Sequence, residues 1–206
     1  MGPAEWVGCD RCGAPVPSGT SAMAPCVGCR GRRFHFDTVV PLGVYRDQLR
    51  SAVLKMKRPS GEPLACALGQ LLVLRRKEKL TQLRPQWVAP VPMHWFRRAM
   101  RKTNSPELLA EQIARGLGTA FAPRLLRRRR NTRLQPDLAP GERFHNVRGA
   151  FEVGAACDVQ GARVLLVDDV LTTGATASEA ASVLRRAGAD MVAVAVVARA
   201  ESDDAV

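Results

Sequence analysis

Val164-Leu165-Leu166-Val167-Asp168-Asp169-Val170-Leu171-Thr172-Thr173-Gly174-Ala175-Thr176 is the stretch whose reading decides the fold. Residues 163–168 have the length and aliphatic content of a strand buried on both faces. From residue 176 to 186 the pattern changes, and Ala177, Ala180, Ala181 and Leu184 recur at helical spacing. Residues 191–198 form a second strand-like apolar run. Strand, helix and strand in that order make a βαβ unit, which predicts two parallel strands covered by the helix between them.

In open α/β sheets, ligands bind beyond the carboxyl ends of the strands. Asp168 and Asp169 stand at such an end, where carboxylates accept hydrogen bonds from sugar hydroxyls. The amides opening the next helix are unpaired and carry partial positive charge, so they suit a phosphate. Thr172, Thr173, Gly174, Ala175 and Thr176 therefore read as a phosphate cradle, with glycine allowing close approach and threonine hydroxyls adding donors. The alternative is that these residues only cap the helix, and Thr176 with Glu179 fits a capping box. A cap alone needs neither paired acids nor the Thr-Thr-Gly-Ala-Thr run. A Walker loop is excluded because no Gly-Lys-Ser/Thr ending is present, and a dinucleotide fingerprint because no Gly-x-Gly-x-x-Gly follows the strand.

Upstream, strand-like and helix-like segments alternate from residue 37 onward. Residues 38–45 are expected as a strand or strand pair, 47–57 and 64–74 as helices, and 87–91 as a short strand running into Pro90-Val91-Pro92. Ser105 before Pro106 is a helix N-cap and first-turn pair, and Leu109, Ile113 and Leu117 place one apolar face on a helix over 106–117, closed by Gly116 or Gly118. Residues 124–133 are a basic run, and 135–146 have the Pro, Gly and Asp content of a long loop.

Residues 2–33 are rich in Gly, Pro, Cys and Ser and have little hydrophobic periodicity, so they need a staple to fold. Cys9-x-x-Cys12 and Cys26-x-x-Cys29, thirteen residues apart, have the spacing of a four-sulfur zinc site. Such a closed site is structural. Two disulfides or four free thiols are the alternatives, and a reducing cytoplasm favours metal binding over both. Cys66 and Cys157 have no partner motif and are expected to be buried. The division is thus a ribbon-like four-cysteine module over 1–36 and an α/β domain over 37–206.

A net charge of +12 over 206 residues suits a phosphate-rich ligand or a merely soluble basic surface. The basic run Arg127, Arg128, Arg129 and Arg130 could track single-stranded DNA, although no aromatic residue for base stacking lies beside it. No secretory signal begins the chain, and no apolar stretch reaches the length of a membrane-spanning helix. A cytoplasmic location without membrane insertion is expected.

The segment 164–176 closely resembles the motif of type I phosphoribosyltransferases that binds 5-phosphoribosyl 1-pyrophosphate (PRPP). The two cysteine pairs, Val91-Pro92-Met93-His94 followed by Arg97, Thr132-x-x-Gln135, and Arg143-x-x-Asn146-Val147-x-Gly149-Ala150-Phe151 extend the resemblance along nearly the whole chain to the ComF family. The resemblance implies a phosphoribosyltransferase fold, a parallel sheet flanked by helices, with an N-terminal zinc ribbon. It implies that Asp168 and Asp169 contact ribose hydroxyls with Mg²⁺ nearby, that Thr172 to Thr176 hold the 5-phosphate, and that Pro92 and Arg97 face pyrophosphate. Family association with DNA uptake in natural competence implies single-stranded DNA and the uptake machinery as partners. One departure stands out: the family's Arg-Gly-Phe-Asn-Gln loop is here Arg101-Lys102-Thr103-Asn104-Ser105. Two functions are consistent with this: Mg²⁺-assisted phosphoribosyl transfer to a nitrogen acceptor, or a non-catalytic PRPP- or DNA-binding adaptor.

Overall fold

The computed structural model describes residues 8–16, 26, 29–93, 104–130, 132, 140–154 and 158–200. Five strands form one parallel sheet: β1 (Thr38–Val44), β2 (Trp87–Pro90), β3 (Ala120–Phe121), β6 (Arg163–Leu171) and β7 (Met191–Arg199), in the order β1-β7-β6-β2-β3. A separate antiparallel pair joins β4 (Leu126–Arg128) to β5 (Phe151–Val153). The helices are α1 (Asp47–Met56), α2 (Glu62–Gln82), α3 (Ser105–Leu117), α4 (Pro140–Val147) and α5 (Ala175–Arg186).

Successive side chains of a strand point to opposite faces, so each central strand feeds two cores. Val40, Val88, Leu165, Val167, Ala193, Ala195 and Val197 face α1, α2 and α3. Val39, Ala89, Val164, Leu166, Val192, Val194 and Val196 face the other way, toward α5, the β4–β5 pair and the cysteine-bearing segment. All nine residues of β7 are buried. Each fully buried Val or Leu contributes about 1.5–3 kcal/mol of transfer free energy, so this two-sided burial is the main stabilising term.

Several elements differ from the sequence expectation. Strand β6 continues three residues beyond Asp168, because Asp168, Val170 and Leu171 keep parallel register with Val196, Ala198 and Arg199. Helix α2 runs from Glu62 to Gln82 rather than over 64–74, since the charged residues after the apolar run are good helix formers and Leu80 is buried. Its one non-helical residue, Arg76 (φ −124°, ψ 17°), donates from Nε to the Pro41 carbonyl (3.0 Å) and from Nη2 to the Leu42 carbonyl (3.2 Å). Part of the expected loop over 135–146 is helix α4, whose partly buried Phe144 packs on the core; residues 133–139 lie outside the described residues. Proline suits the first turn of that helix, so composition alone misread the segment.

The expected caps also differ. Asn104 precedes α3, and the Ser105 hydroxyl instead donates to the Met56 carbonyl at 3.2 Å, tying α3 to the end of α1. Gly174 in the left-handed region precedes α5, and no side chain caps that helix. Glu179 accepts a hydrogen bond from the Gly149 amide (2.8 Å), so the Thr176–Glu179 capping box is not made. Cys66 is only partly buried, and Cys157 lies outside the described residues.

Helices α2 and α3 touch through glycines. A Cβ on Gly69 would stand 2.9 Å from Gln112 Cβ and 3.3 Å from the Leu109 carbonyl, and one on Gly116 would stand 2.9 Å from Val73. The close crossing seats Pro106, at the start of α3, beside the sheet's carboxyl edge. Gly69→Val is therefore expected to destabilise the fold by about 1–3 kcal/mol through overpacking. Thermal melting checks it, and an unchanged midpoint would show that α3 can move away freely.

Candidate functional site

The carboxyl ends of β1, β2 and β6 open into a cleft of about 350 Å³. Its floor is Asp168 through Ala177, and its walls include Tyr45, Lys57, Pro92, Met93, Pro106 and Arg128. The predicted cradle residues Thr172, Thr173, Gly174, Ala175 and Thr176 thus share one cavity with both acids and with Pro92. The turn into α5 depends on Gly174, whose φ of +81° lies in the left-handed region that disfavours side chains. A Cβ there would also approach the Phe34 ring to 3.1 Å. Thr173 is buried and its Oγ1 accepts weakly from the Ala175 amide (3.4 Å), whereas Thr172 is exposed.

Each acid is first held by the chain itself. Asp168 Oδ1 accepts from the Asp169 amide (2.8 Å), and Asp169 Oδ1 accepts from the Val170 amide (2.7 Å). Asp169 also pairs with Lys57, Nζ to Oδ2 at 2.8 Å, with both side chains largely buried. Burial, and next the Asp169 charge, push Asp168 up to about 7; the Asp169 amide, Lys57 and Arg128 pull the other way without winning. An acid pair poised in this way, with one carboxyl short of a compensating cation, fits hydroxyl donors and a divalent ion.

Lys57 and Arg128 are the site residues that sequence reading missed. Lys57 follows α1, more than a hundred residues from the acids, and only the tertiary fold brings it there. Arg128 stood in the basic run weighed as a DNA track or a solvated face, yet it lines the cleft: Nη1 donates to the Pro92 carbonyl (3.5 Å), Nη2 to Thr132 Oγ1, and the guanidinium lies 5.3 Å from the Phe151 ring centre. A strand signal could have found it, because Leu126 and Arg128 share a face of β4 while Arg127 points to solvent. The other arginines divide further. Arg129 pairs with Glu152 (3.1 Å), and Arg130 donates to the carbonyls of Asn146 (3.1 Å) and Arg148 (2.6 Å). Arg97, expected near pyrophosphate, and His94 lie outside the described residues, as do Arg101, Lys102 and Thr103 of the divergent loop.

The four cysteines Cys9, Cys12, Cys26 and Cys29 come together as the spacing predicted, with all Sγ atoms within 4.8 Å of one another. Cys9 and Cys29 are 3.8 Å apart and Cys12 and Cys26 3.4 Å, close to the sulfur separation of about 3.8 Å that tetrahedral bonds of 2.3 Å require. Among the described residues, no disulfide joins any of the four. The Gly13 amide donates back to the Cys9 carbonyl (2.8 Å) and the Arg30 amide to the Cys26 carbonyl (3.2 Å), folding each pair into a tight turn. Burial opposes the Cys9 thiolate, but the amides of Cys12 and Arg11 and the Cys26 thiol draw it down to about 7. Burial and the Cys12 thiol push Cys26 up to about 11 and Cys29 higher still. Such a set, unable to ionise together alone, fits a soft divalent cation. Among the described residues, no helix is long and apolar enough to cross a membrane.

The phosphoribosyl transferase domain family matches residues 107–205, which carry both acids and the cradle. Competence protein F of Haemophilus influenzae is 30% identical over 196 residues, 93% of this chain and 84% of that protein. DNA utilization protein YhgH of Salmonella typhimurium is 32% identical over 191 residues, 90% of this chain and 81% of that protein. A solved structure of the allosteric regulatory enzyme of purine biosynthesis aligns with 64% of this chain and 25% of that chain, at 24% identity and a TM-score of 0.43. By similarity along nearly its whole length, the chain belongs to the ComF family, proteins with a type I phosphoribosyltransferase domain that include competence protein F and YhgH.

Proposed function

We propose that the cleft binds PRPP with Mg²⁺ and transfers its phosphoribosyl group to a nitrogen acceptor, in a process tied to DNA uptake. One observation carries the reading: paired acids, a helix-opening loop turned by Gly174, and Pro92 line a single cleft at the carboxyl edge of a parallel sheet. In this reading Asp168 and Asp169 accept the ribose hydroxyls, and the loop from Thr172 to Thr176 holds the 5-phosphate. In the same reading Pro92 and the cleft-lining Arg128 face the pyrophosphate, a role the family resemblance also assigns to Arg97, which lies outside the described residues. Asp168 and Asp169 would hold Mg²⁺ together with the ribose, and the ion would supply charge neutralisation for the leaving group. The rest is positioning, because loss of pyrophosphate leaves an electron-poor sugar carbon that must meet its acceptor before water.

The second reading is a PRPP- or single-stranded-DNA-binding adaptor of the uptake machinery acting in the cytoplasm. The names of the relatives, which speak of competence and DNA utilization, and the exposed Arg127 favour it. Commitment of Arg128 to the cleft and of Arg129 and Arg130 to neighbouring groups weighs against a continuous DNA track along this run. The four-cysteine module over 1–36 is read as a structural zinc ribbon beside a phosphoribosyltransferase-like domain over 37–206.

Calorimetric titration with Mg²⁺ and PRPP tests the site. The Asp168→Asn, Asp169→Asn double variant is expected to lose binding while keeping its fold, since neutral amides forfeit charge-assisted hydrogen bonds at almost unchanged size. Arg128→Ala is expected to weaken PRPP binding at least tenfold, and DNA binding less. Binding by the double variant equal to that of the parent would make the acids purely structural.

The raised Asp168 acidity gives a second prediction. Its ordinary value is 3.8 and its folded value about 7, so between these the native state holds the extra proton and stability falls as pH rises. The penalty is absent below about pH 4 and complete above about pH 7. Asp168→Asn should therefore melt higher than the parent at pH 8, by a margin that shrinks toward pH 4.5. A margin independent of pH would show an ordinary, fully ionised acid.

Metal analysis tests the ribbon. The purified protein is expected to hold about one zinc per chain, and Cys12→Ser to lose it. Equal zinc in the variant would remove Cys12 from the ligand set.

A further inference from the structure

Strand β7 is apolar until its last residue, Arg199, which is 2% exposed and the largest fully buried side chain among the described residues. A guanidinium in such a place must have its donors matched. Its Nε donates to the Cys12 carbonyl at 2.9 Å. Its Nη1 faces the carbonyls of Leu171 (3.1 Å), Thr172 (2.6 Å) and Ala200. One side chain thus bridges the first cysteine turn to the residues where β6 becomes the phosphate loop.

A second contact runs from the other end of the cysteine module. Phe34 and Phe36, a few residues after Cys29, stack with ring centres 4.8 Å apart. Atoms of the two rings lie 3.1 and 3.5 Å from where a Cβ of Gly174 would stand, and the His35 amide donates to Ser178 Oγ (3.1 Å) in the first turn of α5. The loop is therefore clasped at both ends: Arg199 holds Leu171 and Thr172, and residues 34–36 back Gly174 and Ser178. Cys9, Cys12 and Cys29 belong to the same buried cluster as Phe34, Phe36 and Leu171. Four thiolates around a divalent ion would also leave net negative charge near the buried guanidinium, favouring its place.

We propose that Arg199 is a positioning residue that couples metal occupancy of the four-cysteine centre to the conformation of the 171–174 phosphate loop, so that metal loading and PRPP binding reinforce each other. The ligand half of this rests on the PRPP and zinc readings above, whereas the metal-to-loop half needs no PRPP. Coupling of this kind is reciprocal: if the metal orders the loop for ligand, the ligand must retard loss of the metal.

Two measurements on the full chain separate these halves. In hydrogen exchange without ligand, extraction of zinc is expected to speed exchange of the Ser178 and Ala200 amides, which anchor the loop by donating to the Gly174 and Leu171 carbonyls, at least tenfold, while the β6 and β7 amides over 164–167 and 192–196 keep their protection. Unchanged exchange at these two amides, or a protein that never holds metal, overturns the proposal. In the second measurement a chromogenic chelator withdraws the zinc with and without Mg²⁺ and PRPP. PRPP is expected to slow withdrawal at least fivefold in the parent, with the slowing lost in Arg199→Met and partly regained in Arg199→Lys. A chelation rate indifferent to PRPP, in protein that calorimetry shows to bind PRPP, overturns the coupling. If calorimetry shows no PRPP binding, the functional reading fails separately and loop exchange in the parent decides; the same holds if the Arg199 variants do not fold.

Discussion

The parallel pairing of β6 with β7 does not stop where the aliphatic residues stop, and the rest of the site depends on that continuation. Asp168, Val170 and Leu171 remain in register with Val196, Ala198 and Arg199. The two acids are therefore part of a strand in the middle of a two-sided core rather than residues of a mobile turn. Strand geometry fixes their backbone, amides of the same strand fix their side chains, and the chain can reverse into α5 only after Leu171. A loop seated on so rigid a base suits a phosphate, because its amides are oriented before the ligand arrives.

Cations come to this edge from remote parts of the chain. Lys57 arrives from the end of α1, whose position is tied to α3 by the Ser105 hydroxyl on the Met56 carbonyl. Arg128 arrives from β4 and is held against Phe151 of β5. Neither fully neutralises the acids: Lys57 pairs with Asp169, and Asp168 is left with a raised proton affinity. That imbalance costs stability in the absence of ligand and leaves the cleft ready for hydroxyl donors and a divalent ion, the usual trade between site chemistry and fold stability.

What was legible in the sequence was whatever a local pattern encodes. The βαβ unit showed in the periodicity of 164–198, the turn that opens α5 in its glycine, and the four-cysteine cluster in two Cys-x-x-Cys pairs. The parallel sheet with helices on both faces followed from the alternation of segments. What stayed hidden depends on register or on contacts between distant segments. Arg128 was invisible among four arginines until β4 paired with β5 and gave its side chain a direction. Lys57 and Arg199 matter only through partners 112 and 187 positions away. Helix α4 was misread because Pro, Gly and Asp content resembles a loop, and the Thr176–Glu179 box because Glu179 found the Gly149 amide instead. The ribbon read as a separate module, yet three of its cysteines share a buried cluster with the sheet.

The central claim is that the loop after β6 holds the 5-phosphate of PRPP while the Pro92 side of the cleft holds its pyrophosphate. Phosphorus NMR of PRPP with Mg²⁺, recorded as the protein is added, tests this most directly because the two ends of the ligand give separate resonances. The account predicts that the 5-phosphate and pyrophosphate signals both shift or broaden in proportion to bound protein. Unchanged signals at protein concentrations in excess of the ligand would contradict it.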